Sequence, residues 1–152
     1  SMKYLRLAAT ILSASTLVAV APQASAQTPN EPQVIDNKVL TVDSEGNPTS
    51  GVATLDIDSP SQDGTSFRKI PGFPGTKTEQ VGGGSWNYGW ELINGTTKRC
   101  FSHYNHPSRS HRASVSMGTL TDSKTVRPNN WAKASVMAGI TAGTCNVYWD
   151  NQ

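Results

Sequence analysis

The chain has 152 residues, a formal net charge of +2, two cysteines and 16% charged residues. This length accommodates one modest domain with a tail, and the moderate number of basic residues does not favour nucleic acid as a partner. Beyond residue 26 no stretch is long and apolar enough to span a bilayer, so we expect an exported protein that is soluble once mature.

Residues 1–26 have the pattern of a secretory signal peptide. Two positive residues, Lys3 and Arg6, precede an uncharged apolar run that ends near Ala21. That run is short for a transmembrane helix, which needs about 20 apolar residues, and small residues after it match a peptidase site. We therefore expect cleavage before Gln27 and an extracellular location.

Charge divides the remaining chain. Residues 27–80 hold four basic against eight acidic residues, whereas residues 81–152 hold seven basic against three acidic. Such asymmetry fits an acidic leader that shields a basic domain, or a basic domain directed at an anionic surface. We interpret residues 27–81 as an acidic Pro/Gly/Ser-rich leader or linker and residues 82–152 as the folded domain, with Gly82–Gly84 as a hinge between them.

Within the leader, residues 39–42 and 52–57 have the composition of strands joined by a turn. They predict a hairpin, which would be marginally stable by itself. A flexible acidic segment is equally consistent with this composition.

After residue 82 apolar and polar residues alternate with a period of two, which is typical of half-buried strands. Trp86, Tyr88 and Trp90 share one face of the first strand, and Asn94-Gly95 predicts a tight hairpin to a second strand at 97–104. A two-residue turn would place Glu91 opposite Lys98, Trp90 opposite Arg99 and Tyr88 opposite Phe101.

Three further strands are predicted, at 111–117, 131–138 and 144–149, and a short helix is the alternative for 131–138. Five or more short strands with turns between them predict an all-β fold, a small antiparallel β-sandwich. We expect at least two of the four tryptophans to lie in its core. Cys100 and Cys145 are most simply one disulfide in an oxidising compartment, with a reactive or metal-bound thiol as the alternative.

The three histidines, His103, His106 and His111, fall within nine positions. Three imidazoles can bind zinc, but no Asp or Glu lies between Glu91 and Asp122 to complete a site, and neighbouring arginines would repel a cation. No G-x-S-x-G motif accompanies the serines, and no acid is placed to orient a His–Ser pair. We therefore predict no metal, no cofactor and no catalytic residues.

Several ordered motifs resemble the lactococcin 972 family of bacteriocins. They are a G-x-W-x-Y-G opening, the string S-x-Y-x-H-P-S-R-S-H-R-A-S-V, a W-A-K-A-S-V segment and a terminal Y-W. Their carriers are Gly84, Trp86, Tyr88, Gly89, Ser102, Tyr104, His106, His111, Ala113, Val115, Trp131, Ala132, Lys133, Ala134, Val136, Tyr148 and Trp149. The cysteine pair and the acidic stretch before residue 82 depart from the family's pattern.

The resemblance implies a secreted antibacterial protein with a β-sandwich fold. It would act without enzymatic chemistry on Gram-positive competitors, at the wall precursor lipid II and septum formation. Its expected ligand is lipid II or another anionic envelope component, while contact with the target membrane surface and self-association stay open. The alternative is a secreted, non-toxic β-module that binds wall glycan or another protein.

A single cationic face is predicted to carry this function, because arginine's planar fork suits pyrophosphate and an exposed tyrosine can stack on sugar. Its residues are Arg99, His103, Tyr104, His106, Arg109, His111 and Arg112. The acidic leader would mask this face until secretion or cleavage.

Overall fold

The computed structural model describes residues 31–58 and 74–152, so the predicted signal peptide lies outside the described residues. The described ranges contain nine strands and no helix. The strands are β1 (Gln33–Val42), β2 (Pro48–Asp56), β3 (Gly75–Val81), β4 (Gly84–Ile93), β5 (Thr97–Asn105), β6 (His111–Met117), β7 (Leu120–Val126), β8 (Ala132–Gly139) and β9 (Thr144–Asp150).

The strands form two antiparallel sheets, which confirms the predicted sandwich. One sheet has the order β1-β2-β9-β6-β7 and the other has the order β3-β4-β5-β8. The helical alternative for residues 131–138 is wrong, since Ala132, Ala134 and Val136 point inward from a strand while Lys133 is exposed. At the adjacent edges of the two sheets, the Asp122 carboxylate of β7 accepts the backbone N–H of Ser135 on β8 at 2.9 Å.

Two strands, β3 and β7, were missed by the sequence analysis. Their segments, GTKTEQV and LTDSKTV, have almost no large apolar residue and so lack the alternation that marks a half-buried strand. Both are edge strands, because each has a single hydrogen-bonded neighbour in its sheet. An edge strand is specified by its partner more than by its own side chains, which explains the miss.

Strands β1, β2 and β3 come from the segment that was interpreted as a leader or linker. β2 pairs with β9 over seven residues, from Ser50↔Asp150 to Asp56↔Thr144, and therefore lies inside the first sheet. Its apolar side chains Ala53 and Leu55, with Ile57 just beyond, are wholly buried in the core. Of the two interpretations of this segment, the structure takes the hairpin that was predicted from strands at 39–42 and 52–57, with β1 beginning earlier, at Gln33, and β2 earlier, at Pro48.

The predicted hinge at Gly82–Gly84 is wrong. Gly82 and Gly83 form the two-residue turn between β3 and β4, and Val81 pairs with Gly84 directly before and after it. Both turn residues have positive φ, 60° and 80°, the backbone twist that a type I′ hairpin requires. The chain therefore passes from one strand to the next without a break.

The core is aromatic and lies between the two sheets. Trp86, Tyr88 and Trp90 of β4 are buried, as is Trp149 of β9, which confirms the expectation for the tryptophans. A buried serine joins the layers: Trp86 Nε1 donates to Ser102 Oγ at 2.9 Å, and Ser102 Oγ donates to the Tyr148 carbonyl at 2.7 Å. Satisfying an indole N–H in this way is what allows it to be buried without a large penalty.

The predicted register of the β4–β5 hairpin is wrong by one residue. Ile93 pairs with Thr97, so the loop holds three residues, Asn94 to Thr96, rather than two. As a result Glu91 lies opposite Arg99, and their side chains form an ion pair at 3.2 Å on the outer face of the sheet. A one-residue slip exchanges the two faces of a strand.

The same slip turns Lys98 inward, where it is 1% exposed. Its Nζ donates to the backbone carbonyls of Ile57 and Ala142 and lies 5.7 Å from the Trp90 ring centroid. Burial lowers the pKa of Lys98, while nearby Asp58 and Asp56 oppose that shift. The lysine thus ties the end of β2 to the turn before β9.

Cys100 and Cys145 form the predicted disulfide. The bridge joins β5 of one sheet to β9 of the other, with 6.7 Å between the Cα atoms. Closing a loop of 45 residues corresponds to about 4 kcal/mol in the chain-entropy model. The disulfide therefore locks the two layers together at the level of Trp90, whose partner in β5 is Cys100.

Candidate functional site

The seven predicted site residues do not form one face. The structure places them in four locations. Arg99 and His103 lie on the outer face of the four-stranded sheet, Tyr104 is in the core, His106, Arg109 and His111 surround the β5–β6 loop, and Arg112 lies on the outer face of the five-stranded sheet.

Tyr104 in the core and the two histidines at the ends of the β5–β6 loop meet in a buried hydrogen-bonded group at the end of the sandwich, which we call the end cluster. Its members are Gly82, Tyr104, His106, His111 and Asn151. The Tyr104 hydroxyl donates to the Val81 carbonyl at 3.0 Å, while Asn151 Nδ2 lies 2.7 Å from the Gly82 carbonyl and 3.2 Å from Tyr104 Oη. These bonds tie the β3–β4 turn to β5 and to the C-terminal residues. With its side chain wholly buried, Tyr104 presents no ring surface to solvent.

His106 holds the β5–β6 loop in this cluster. Its Nδ1 accepts the backbone N–H groups of Ser108 and Arg109 at 3.1 and 3.0 Å, so its Nε2 carries the proton and donates to the Gly82 carbonyl at 3.1 Å. Burial lowers the pKa of His106, and Arg109 and His111 lower it further, whereas the bond to Gly82 raises it. The arrangement suits a neutral ring with one donor and one acceptor.

His111 is the second buried histidine, with 2% of its surface exposed. Its Nδ1 lies 2.8 Å from the Arg109 carbonyl and its Nε2 lies 2.6 Å from the Asn130 carbonyl. Both partners are carbonyl oxygens, which only accept, so a protonated ring nitrogen donates to the carbonyl that faces it. Its edge contacts the Tyr104 ring at 5.5 Å between centroids, so this histidine also supports the loop.

Arginine side chains line two grooves beside the end cluster. Arg109 and Asp43 line a groove of about 370 Å³ with the Gly82–Gly83 turn. Arg112 and Asp150 line a smaller one of about 210 Å³, where Arg112 Nε donates to Thr125 Oγ1 at 3.0 Å. Both arginines are exposed, and an acidic residue accompanies each of them.

Asp43 is the acid of the larger groove. Its carboxylate accepts the backbone N–H groups of Asn47 and Glu45, each at 2.9 Å. The bond from Asn47 is the main cause that lowers the pKa of Asp43, and Arg109 contributes a smaller electrostatic part. A negative charge from the acidic segment therefore lies beside the basic loop.

A third groove, of about 390 Å³, lies on the outer face of the four-stranded sheet, and we call it the outer groove. It is lined by Thr78, Ser85, Asn87, His103, Trp131 and Lys133. Four of these form one row across the sheet, since Thr78 pairs with Asn87, Asn87 with His103, and His103 with Lys133. Directly paired residues have Cβ atoms about 5 Å apart, so the row is continuous.

The outer groove has few charged side chains. Among the described residues Lys133 is exposed and forms no ion pair, whereas Arg99, two rows further along the same face, is paired with Glu91. Burial lowers the pKa of His103, and the positive charges of Lys133 and Arg99 lower it further. The groove thus combines one ammonium group with neutral amide, hydroxyl and imidazole groups.

His103 is the only one of the six residues lining the outer groove that the sequence analysis had named as a site residue. Trp131 was interpreted as a candidate for the core, yet it is 43% exposed. The alternation along β8 could have predicted that Trp131 is exposed. Ala132, Ala134 and Val136 point inward, so Lys133 and Trp131, which directly precedes the strand, lie on the outward side.

Over residues 31–58 and 74–152, no three His, Cys, Asp or Glu side chains are grouped so that they could hold a metal ion. The same ranges contain no helix with the length and apolar character needed to cross a membrane.

The structure defines the protein as a disulfide-linked, all-β sandwich with preformed surface grooves. Comparison with protein-family models places it more closely: residues 82–149 match the model of the bacteriocin family Lactococcin_972. The match supports the resemblance to that family over residues 82–149. It also supports a secreted antibacterial protein and suggests that it acts without enzymatic chemistry. No curated protein and no solved structure matches the chain.

Proposed function

We propose that this protein kills Gram-positive competitors by binding the wall precursor lipid II at the cell envelope, which blocks septum formation. It acts by occupancy and turns over no substrate. The family match over residues 82–149 is the observation that carries the proposal. The ligand-binding residues are Arg109 and Arg112, together with backbone groups of the β5–β6 loop.

The two arginines are suited to this role by position. They are exposed, lie three positions apart at the same end of the sandwich and form no ion pair within the described ranges. The pyrophosphate of a wall precursor presents several anionic oxygens, which guanidinium groups bind through paired N–H donors. The end cluster supports them, because His106 accepts the backbone N–H of Arg109.

The neighbouring acids would oppose an anion. Asp43 shares the groove of Arg109, and Asp150 pairs with Arg112 across β9 and β6. A ligand must therefore replace or outweigh these contacts, so binding should be selective for a group with more than one negative charge. If the acidic segment masks the basic loop as predicted, Asp43 is the residue that we propose for this role.

The form to be tested is residues 27–152. A chain that began at Gly82 would lack β1, β2 and β3 and would leave one long side of β9 unpaired. It would also lose the buried side chains of Ala53, Leu55 and Ile57 from the core. Inactivity of such a fragment would therefore reflect lost structure.

The test is a double substitution, Arg109→Ala with Arg112→Ala. Each hydrogen-bonded charge contact contributes about 1.5–3 kcal/mol, so we expect at least about a ten-fold loss of both killing and binding to vesicles that contain lipid II. Killing is measured as growth inhibition of Gram-positive cells, with and without added lipid II, and binding is measured by vesicle sedimentation. Vesicles with phosphatidylglycerol but no lipid II give the background from nonspecific charge.

The matched control is Lys124→Ala with Arg127→Ala, which removes two exposed charges from β7 and the residue after it. This control should bind and kill like the parent protein. Equal losses in both double variants would mean that net charge alone is responsible. Full killing by the Arg109/Arg112 variant would reject the proposed site, and killing that lipid II does not relieve would reject the ligand.

A further inference from the structure

We infer that the outer groove is a saccharide site, which holds a pyranose ring that carries a carboxylate. Five of its six lining residues lie on β3, β4, β5 and β8, so every strand of the four-stranded sheet contributes, and the sixth, Trp131, directly precedes β8. The volume of about 390 Å³ lies within the range of small-molecule sites, roughly 300–1,000 Å³. The inference does not rest on the proposed function, since it requires neither killing nor a pyrophosphate.

The row across the sheet has the chemistry that sugar hydroxyls require. A hydroxyl both donates and accepts, so it is best met by groups that do the same. Asn87 donates from Nδ2 to Thr78 Oγ1 at 2.9 Å, which orients its amide and leaves the second N–H and the oxygen for a ligand. His103, whose pKa is lowered, supplies one donor and one acceptor in its neutral form.

Rigid support holds these groups in place. His103 packs against the Phe101 ring at 5.0 Å between centroids, and Phe101 is only 5% exposed although it lies on the outer face. Ser85 donates to Gln80 Oε1 at 3.1 Å in the next row of the sheet. Polar groups that project from paired strands lose little freedom on binding, which favours affinity.

Trp131 supplies the apolar surface at the end of the groove. Its indole is 43% exposed, whereas Trp86, Trp90 and Trp149 are at most 3% exposed. The C–H bonds on one face of a pyranose ring carry partial positive charge and pack well on the electron-rich face of an indole. Tyr104 was predicted to stack on sugar, but its ring is buried, whereas the ring of Trp131 is accessible to a ligand.

Lys133 specifies an acidic sugar. It lies opposite His103, two residues from Trp131 on the same side of β8, and no carboxylate of the described residues pairs with it. One exposed ammonium group beside neutral donors suits one carboxylate better than a densely charged polymer. The free lactyl carboxylate of a muramic acid residue that carries no stem peptide, as in denuded bacterial wall glycan, has this chemistry.

The probe is the disaccharide of N-acetylglucosamine and N-acetylmuramic acid, titrated into residues 27–152 by calorimetry and heteronuclear NMR. N,N′-diacetylchitobiose, which lacks the carboxylate, and inorganic phosphate are titrated separately. We expect the acidic disaccharide to bind several-fold more tightly than chitobiose, with shifted amide signals at Asn87, His103 and Lys133. Phosphate alone should not compete.

Two variants test the residues, each with a matched control. Trp131→Ala should weaken disaccharide binding by roughly ten-fold, while Leu120→Ala, which truncates another side chain that is 43% exposed, should not. Lys133→Gln should remove the preference for the acidic sugar, while Lys124→Gln on β7 should keep it. Thermal unfolding of each variant checks that the sandwich is intact.

The outcomes separate this inference from the proposed function. Disaccharide binding that Trp131→Ala weakens supports the site, whether or not the Arg109/Arg112 variant still kills. Lack of binding by the folded parent protein would overturn it, as would equal binding by the folded Trp131→Ala variant. Full competition by phosphate would also overturn it, because the contact would then be ionic only.

Discussion

The end cluster and the outer groove use the same kinds of side chain in opposite ways. In the end cluster, His106 and His111 point inward and their ring nitrogens are satisfied by backbone groups. In the outer groove, His103 and Lys133 point outward from paired strands and retain unused hydrogen-bonding capacity. A dense run of histidines and arginines in the sequence therefore marks, in part, the residues that hold a loop rather than those that meet a ligand.

The largest expected effect is at the glycine of the end cluster. Gly82 has φ 60°, and a Cβ there would collide with the Trp149 ring and with Asn151 Nδ2. We expect Gly82→Ala to lower the free energy of unfolding by more than about 3 kcal/mol, since it combines backbone strain with overpacking. Urea unfolding followed by tryptophan fluorescence measures the change.

Gly46→Ala is the matched control, because Gly46 also has a positive φ, 84°, but a Cβ there would meet nothing within 4 Å. It should cost only the backbone strain, about 1–2 kcal/mol. If the two substitutions lowered the free energy of unfolding equally, the packing of the end cluster around Gly82 would contribute nothing to stability. The structural role that distinguishes the end cluster from the outer groove would then be rejected.

Much of the fold could be predicted from the sequence. Alternation with a period of two identified β4, β5, β6, β8 and β9, and the cysteine pair identified the bridge between the sheets. The predicted hairpin register was wrong because the turn between β4 and β5 includes Thr96 and is one residue longer than expected. The edge strands β3 and β7 were missed because they have no apolar face of their own and form only by pairing with a neighbouring strand. Composition likewise could not show that β2 would pair with β9.

The candidate site was harder to predict than the fold. Arginine and histidine could be selected by residue type, but the outward or inward position of the candidates on β5 follows the pairing of the β4–β5 hairpin, and the predicted register of that hairpin was wrong by one residue. Tyr104 falls on the inner face with Trp86, its partner in β4, whereas His103 falls on the outer face with Asn87. The row that forms the outer groove exists only once four strands are paired, so no single segment of sequence contains it.

A smaller effect on stability is expected when one histidine of the end cluster and one of the outer groove are each replaced. His106→Ala removes the acceptor for two backbone N–H groups and the donor to Gly82, so we expect a loss of about 2–3 kcal/mol in the free energy of unfolding. His103→Ala should change it by less than about 0.5 kcal/mol, because its polar atoms serve no buried partner in the described residues. Saccharide binding should reverse the order, with the loss confined to His103→Ala. Equal destabilisation by both substitutions would refute the division of roles.

The smallest expected effect is the pH dependence that the end cluster gives to stability. Burial holds the pKa of His106 below its ordinary value, about 6.5, so as the pH falls through that value the unfolded chain binds a proton before the folded chain does. Stability is therefore full above this range and falls as the solution becomes more acidic. His103 contributes in the same direction, since its pKa is also lowered.

Urea unfolding between pH 5 and pH 8 separates the two contributions. His106→Asn retains a side-chain acceptor for the loop but cannot titrate, so part of the slope should disappear, and His103→Asn should remove a different part. The titratable and charged groups that face His106 and lower its pKa are Arg109 and His111, and Arg109→Gln should reduce the slope by raising the pKa of His106. If the His106→Asn variant kept the whole slope of the parent protein, the acid sensitivity would have to lie outside the end cluster, and the neutral, loop-holding role of His106 would lose its thermodynamic support.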